Sequence, residues 1–120
     1  MTRGAEIHLA RVSDGAEAMV GARLLVDRIW PRGIPKAELQ PDDWLRDIAP
    51  STGLRKWFGH DPARWPEFRR RYRAELDANP DAVARALEWC RKGPVTLLFW
   101  AKDREHNQAV VLRDYLAGRL

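Results

Sequence analysis

Three runs of apolar residues read as strands. From Ile7 to Val12, apolar and polar side chains alternate with the two-residue period of a strand. Ser13-Asp14-Gly15 follows as a turn. The second strand spans Ala22 to Arg28 and holds Leu24-Leu25-Val26 without interruption, the mark of burial on both faces. The third, Val95-Thr96-Leu97-Leu98-Phe99-Trp100, is as continuous and is set off by Gly93-Pro94.

The middle of the chain changes to helical spacing. Pro31 to Pro41 reads as loop, with Pro35 excluding a long helix. Pro41-Asp42-Asp43 predicts a short helix through about Ile48, its acidic first turn matched to the positive end of the helix dipole. Ser51 or Thr52 caps another short helix through Phe58, despite Gly53. Asp61 and Pro62 open a helix that runs to about Asp77, with Trp65, Phe68, Tyr72 and Leu76 as its apolar stripe. Asn79-Pro80 opens the next, which ends near Lys92 with Gly93 as C-cap. Val83, Ala86, Leu87 and Cys90 share its buried face, whereas Trp89 falls off it and is a candidate dimer contact. The last helix starts at His106 or Asn107 and runs to about Ala117, with Ala109, Leu112 and Leu116 inward. A helical crossover between the second and third strands fits parallel pairing. The expected fold is α/β: one domain over residues 1–120, with a small, mostly parallel sheet of three or more strands flanked by helices.

Composition narrows the picture. A hydrophobic share of 45% with six tryptophans supplies a core and excludes disorder. No apolar run approaches the roughly 20 residues of a membrane helix. The first residues carry no apolar signal core, so a soluble, cytoplasmic protein without membrane contact is expected. Cys90 is the one cysteine, which excludes an internal disulfide and a thiolate zinc cluster; its place on a helix face reads as a buried, inert thiol. Three scattered histidines make no ligand pattern, so neither metal nor cofactor is expected. The net charge of +4 comes mainly from arginine, which suits bidentate recognition of phosphate or carboxylate. No phosphate loop, His-Glu-x-x-His or Gly-x-Ser-x-Gly signature is present.

The topology directs attention to two loops. Ligands of open parallel sheets bind outside the carboxyl ends of the strands. Asp27-Arg28-Ile29-Trp30-Pro31-Arg32-Gly33 and Lys102-Asp103-Arg104-Glu105-His106-Asn107 both leave such ends, and with parallel strands they face the same rim. Arg28, Arg32 and Lys102 supply positive charge and Trp30 a stacking surface; Asn107 lies where the loop enters a helix N-terminus. Asp27 and His106 are the candidate general acid or base. His60 either joins this pocket or holds the start of its helix, and His8 reads as structural or surface. Arg69 lies about 40° from the apolar stripe by helical geometry and needs a partner there, either a carboxylate or a bound anion. Arg70 points away from the stripe, and Arg71 is spaced to pair with Glu67 and Glu75.

The segments Leu25 to Gly33, Ala49-Pro50-Ser51-Thr52, Leu54 to Pro62, Gly93 to Leu98, and Ala101-Lys102-Asp103 with His106-Asn107 together resemble the signature of the YeaO-like family, domain of unknown function 488. So do Trp65, Phe68, Arg71 and Tyr72, and the likeness spans nearly the whole chain. The resemblance implies a compact α/β domain of bacterial type and no defined activity. More distant, longer relatives carry a Cys-His-Arg cluster after the last strand, where this chain reads Glu105-His106-Asn107-Gln108. No thiol-dependent role carries over.

The expected function is binding of a small anionic or nucleotide-like ligand at the strand ends, with catalysis on it left open. Two alternatives stand beside it: a nucleic-acid-binding module using Arg and Trp, and a general acid–base enzyme using Asp27 or His106. The assembly is expected to be a monomer or homodimer.

Overall fold

The apolar run at Val95–Phe99 is continuous because this strand is covered on both faces and both edges. The computed structural model describes residues 6–120. Its four strands are β1 (Ile7–Arg11), β2 (Ala22–Leu25), β3 (Asp43–Trp44) and β4 (Val95–Phe99). They form one sheet in the order β1-β4-β2-β3, and every pairing is parallel. Five helices accompany it: α1 (Lys36–Leu39), α2 (Thr52–Phe58), α3 (Trp65–Asp77), α4 (Pro80–Lys92) and α5 (Gln108–Ala117). The α/β reading of the sequence is therefore correct. Among the described residues no helix is long and apolar enough to cross a membrane. The amino-terminal stretch read for a signal core falls on residues 1–5, outside those described.

Alternation along the central strand divides the core. Leu24, Val95, Leu97 and Phe99 join the helical layer, where they pack with Phe68, Tyr72 and Leu76 of α3, Ala86 of α4 and Leu112 of α5. Leu25 and Leu98 face the opposite, thinner cover of Ala10, Val12 and Leu39, completed by Met19, Trp30 and Trp44. Thr96 is the one polar side chain within β4 and is fully buried. Its hydroxyl accepts from Val20 N and donates to Val20 O, both at 2.8 Å, so burial leaves neither function unmet.

Helix boundaries follow local chemistry. Ser51 caps α2 by accepting Leu54 N, and Asp61 accepts Ala63 N at the short 3-10 turn that leads into α3. The stripe of α3 points inward as its spacing requires, with Phe68, Tyr72 and Leu76 buried. Tyr72 donates its hydroxyl to Ile48 O at 2.7 Å across the core. Cys90 is buried, and burial pushes its thiol pKa upward, consistent with an inert group.

Four readings change. β1 ends at Arg11 and β2 at Leu25, although Val26 N still donates to Leu98 O. The loop after Pro31 contains one helical turn, α1, which stops at Gln40 in the left-handed conformation. The helix expected from Pro41 to Ile48 is absent. Asp43 and Trp44 pair with Leu24 and Leu25 as an edge strand, and only Arg46–Ile48 turns, as a 3-10 helix. Asp42 N and Leu45 N donate to Arg23 O and Leu25 O at 2.8 Å, so bonds to an open sheet edge override the local helix signal. Trp89, which falls off the apolar face of its helix, is half-buried rather than fully exposed. It packs against the core, and its Nε1 donates to Asp43 Oδ2 at 3.0 Å.

Gly21 turns the chain into β2 with φ +67°, and a Cβ there would lie 2.0 Å from the Pro94 carbonyl oxygen. Both the dihedral and the backbone clash exclude a side chain. Gly21→Ala is expected to destabilise the fold by at least about 2 kcal/mol in urea titration. An unchanged midpoint would show that the β2 approach is more pliable than this packing implies.

Candidate functional site

Parallel pairing brings the carboxyl ends of β2 and β4 to one rim, and the loops leaving them enclose a cavity of about 780 Å³. Residues 27–32 form one wall and residues 100–103 with 106–108 another; Ala49, Pro50, Arg55, Phe58, His60 and Phe68 close the space. The cavity thus collects Asp27, Arg28, Trp30, Arg32, His60, Lys102, His106 and Asn107. Arg69 does not reach it. It is exposed on α3, where its offset from the stripe lets the long side chain extend into water, and no carboxylate pairs with it among the described residues. Beside it, Glu67 binds Arg70 and Arg71 together, while Glu75 accepts Ser51 N at 2.8 Å and Ser51 Oγ at 2.5 Å.

The collected residues divide by what their polar atoms already touch. Arg28 donates through Nε to Pro50 O at 3.1 Å and through Nη2 to Ala49 O at 3.0 Å, which ties the 27–32 wall to the segment that closes the cavity. Trp30 is anchored by Nε1 donating to Ile34 O at 2.7 Å and by its edge contact with Trp44 at 5.4 Å. Asn107 is buried and caps α5: Oδ1 accepts Val110 N at 3.2 Å and Nδ2 donates to Asp103 O at 2.9 Å. These three shape the wall. Arg32 and Lys102, by contrast, are exposed, and neither side chain has a hydrogen-bond or ion-pair partner among the described residues. His60 is exposed at φ +57°, in the turn between α2 and the start of α3.

Asp27 ends the buried run of β2 and takes its carboxylate into the cavity wall. Burial raises its pKa to about 6, against the opposing effects of the Trp100 backbone N–H, the Gln108 side chain and the Arg55 charge. Gln108 Nε2 donates to Asp27 Oδ1, linking β2 to the first turn of α5. On the opposite loop, His106 Nδ1 lies 2.9 Å from Asp103 Oδ2. Asp103 also accepts the backbone N–H groups of Glu105 at 2.9 Å and His106 at 3.0 Å. These bonds, the Glu105 N–H first and the His106 ring second, hold its carboxyl below the usual range. An ionised carboxylate only accepts, so His106 Nδ1 is the donor of this bond. The edge of His106 also meets Trp65 at 5.2 Å.

Three contributors escaped the sequence reading. Arg55 is a third exposed cation on the cavity, without a side-chain partner among the described residues; its signal is its place one turn before Phe58. Asp103 orients His106, at the Asp-x-x-His spacing that folds a loop back on itself. Gln108, at the start of α5, gave no local sign that it reaches Asp27.

The class is an α/β domain with an all-parallel sheet and a cavity at the carboxyl ends of its strands. Residues 6–120 match the DUF488-N3i family, the inactive DUF488-N3 subclade, and the chain belongs to that family. The uncharacterized protein YeaO of Escherichia coli (strain K12) is 44% identical over 110 residues, covering 92% of this chain and 96% of YeaO. The uncharacterized proteins Mb3100c of Mycobacterium bovis and Rv3073c of Mycobacterium tuberculosis are each 37% identical over 119 residues, covering 99% of this chain and 100% of theirs. The YeaO-like resemblance thus holds across the chain. No solved structure matches.

The position of Asp27 has a cost that pH exposes. Its carboxyl titrates at about 6 in the fold, against 3.8 for an ordinary aspartate. Between these values the folded chain holds more protons than the unfolded one, so this group's contribution falls as pH rises. Asp27→Asn is expected to gain about 2–3 kcal/mol over the parent between about pH 4 and pH 7 in parallel urea titrations. A difference that stays constant with pH would overturn the assignment.

Proposed function

We propose that this protein binds a small anionic, nucleotide-like ligand in the cavity at the carboxyl ends of its strands. The observation that carries this reading is the set Arg32, Arg55 and Lys102: cations on three separate segments around one aromatic cavity, with no side-chain partners among the described residues. Several arginines elsewhere are engaged, as Arg104 is with Asp14 and Arg85 with Asp43, whereas these three converge on one space. Cations left unpaired around a concavity favour an external anion. The cavity's size also suits an organic ligand better than a bare ion. The family description as inactive favours binding over turnover.

The nucleic-acid alternative has less support. The outlying tryptophans already carry cations from their own chain: Arg71 lies over Trp57 at 4.3 Å and Arg46 over Trp44 at 4.6 Å. Those faces are not left open for bases.

Titration calorimetry with inorganic phosphate, nucleoside monophosphates and short oligonucleotides tests the reading. Arg32→Ala and Lys102→Ala are each expected to weaken nucleotide binding about ten-fold, as loss of a charge-assisted hydrogen bond does. Unchanged affinity in the double variant would sink the cavity reading. Binding of oligonucleotides alone, falling steeply with salt, would favour the nucleic-acid alternative.

A second reading, general acid–base catalysis, draws on Asp27, raised to about 6, and on His106 oriented by Asp103. It expects turnover of a bound nucleotide to fall at least about a hundred-fold in Asp27→Asn or His106→Ala. A ligand recovered unchanged, with no difference among parent and variants, leaves binding as the function.

A further inference from the structure

The polar groups on the cavity do not share one sign. Arg32, Arg55 and Lys102 are cationic, while Asp27 and Asp103 are carboxylates on the same space. An anion that filled the cavity uniformly would therefore meet like charge, at a cost that grows with desolvation. The neighbouring Arg28 does not relieve this, because it donates to the Ala49 and Pro50 carbonyls. What suits a carboxylate in a recessed wall is an N–H donor. Asp27 has capacity for one: a carboxylate offers about four acceptor positions, and the Trp100 backbone N–H and Gln108 Nε2 use two. His106 lines the same space, held by its Nδ1 contact with Asp103 at 2.9 Å. Phe58, Phe68 and Trp100 line the same cavity: Phe58 and Phe68 are buried and stacked on each other at 4.3 Å, and Trp100 is the exposed ring.

We infer that the ligand is a planar, N–H-bearing heterocycle joined to an anionic group, with its donor edge at Asp27 and its anion at Arg32 and Lys102. Nucleoside monophosphates have this chemistry: a ring to cover the aromatic wall, exocyclic or ring N–H groups for the carboxylate, and a phosphate for the cations. Inorganic phosphate and sugar phosphates lack the first two. The inference rests on the anion-binding reading above and adds the second half of the ligand.

Calorimetry at pH 7.5 with GMP, AMP, CMP, UMP, the matching nucleosides, ribose 5-phosphate and inorganic phosphate separates the two halves. At least one monophosphate is expected to bind ten-fold or more tightly than ribose 5-phosphate. Asp27→Asn, which replaces an open acceptor with a donor while keeping the side chain's shape, is expected to collapse that ratio without weakening ribose 5-phosphate. Far- and near-ultraviolet circular dichroism of the variant confirms that it is folded. Arg32→Ala is expected to weaken every phosphate-bearing ligand and leave the nucleosides unaffected. Equal binding of ribose 5-phosphate and all monophosphates overturns the ring half and leaves the anion pocket standing. Equal binding of nucleosides and their monophosphates overturns the anionic half, and with it the reading it rests on. Absence of binding across the panel overturns both.

Discussion

The structure depends on β4 being hydrogen-bonded on both sides, to β1 and to β2, with all three running the same way. A central parallel strand has no solvent face, which is why Val95 to Phe99 is buried at every position. Parallel direction then fixes what no single loop determines. The chain leaves β2 and β4 at the same rim, and residues far apart in sequence become walls of one cavity. The thick helical layer on one face and the thin cover on the other follow from the alternation of Leu97 and Leu98 across that strand.

Charge is distributed unevenly around this frame. Over much of the surface, acids and arginines meet: Asp14 with Arg104, Asp43 with Arg85, Glu67 with Arg70 and Arg71, Asp77 with Arg119. Exposed pairs of this kind add little to stability, but they neutralise the surface locally. At the cavity the pattern reverses. Asp27 is pushed into an apolar wall, and the nearby cations remain apart from it. Such a departure from the local rule costs stability at this place in the fold.

Much of the fold was legible because its signals are local or periodic. Ser51, Asp61 and Pro62 announce helix starts through groups that satisfy the first backbone N–H donors. Phe68, Tyr72 and Leu76 announce a buried face by spacing. The edge strand at Asp43–Trp44 was not legible: two residues carry no period, and the partner that makes them a strand is Leu24–Leu25. The cavity was legible as two loops on one rim, but individual roles were not. Arg28 looks like a free cation until its backbone acceptors at Ala49 and Pro50 are seen, and carbonyls leave no mark in a sequence. Arg69 looked placed for a partner because helical angle was known and side-chain reach was not. Trp89 looked exposed because its acceptor, Asp43, belongs to the strand that the sequence concealed.

The position of β4 in the chain also sets an order in time. β1 and β2 are neighbours in sequence but not in the sheet, because β4 lies between them, and four helices separate β2 from β4 along the chain. During synthesis the first strands emerge long before the strand that unites them, so neither can close the sheet early. Pairings of such separation form slowly, since the intervening chain must be ordered before they are rewarded. The link from Asp27 to Gln108 comes later still, after β4 has docked and α5 has begun. A chain that stops short of α5 therefore lacks the wall formed by residues 100–103 and 106–108, and the cavity takes shape only after β4 has docked.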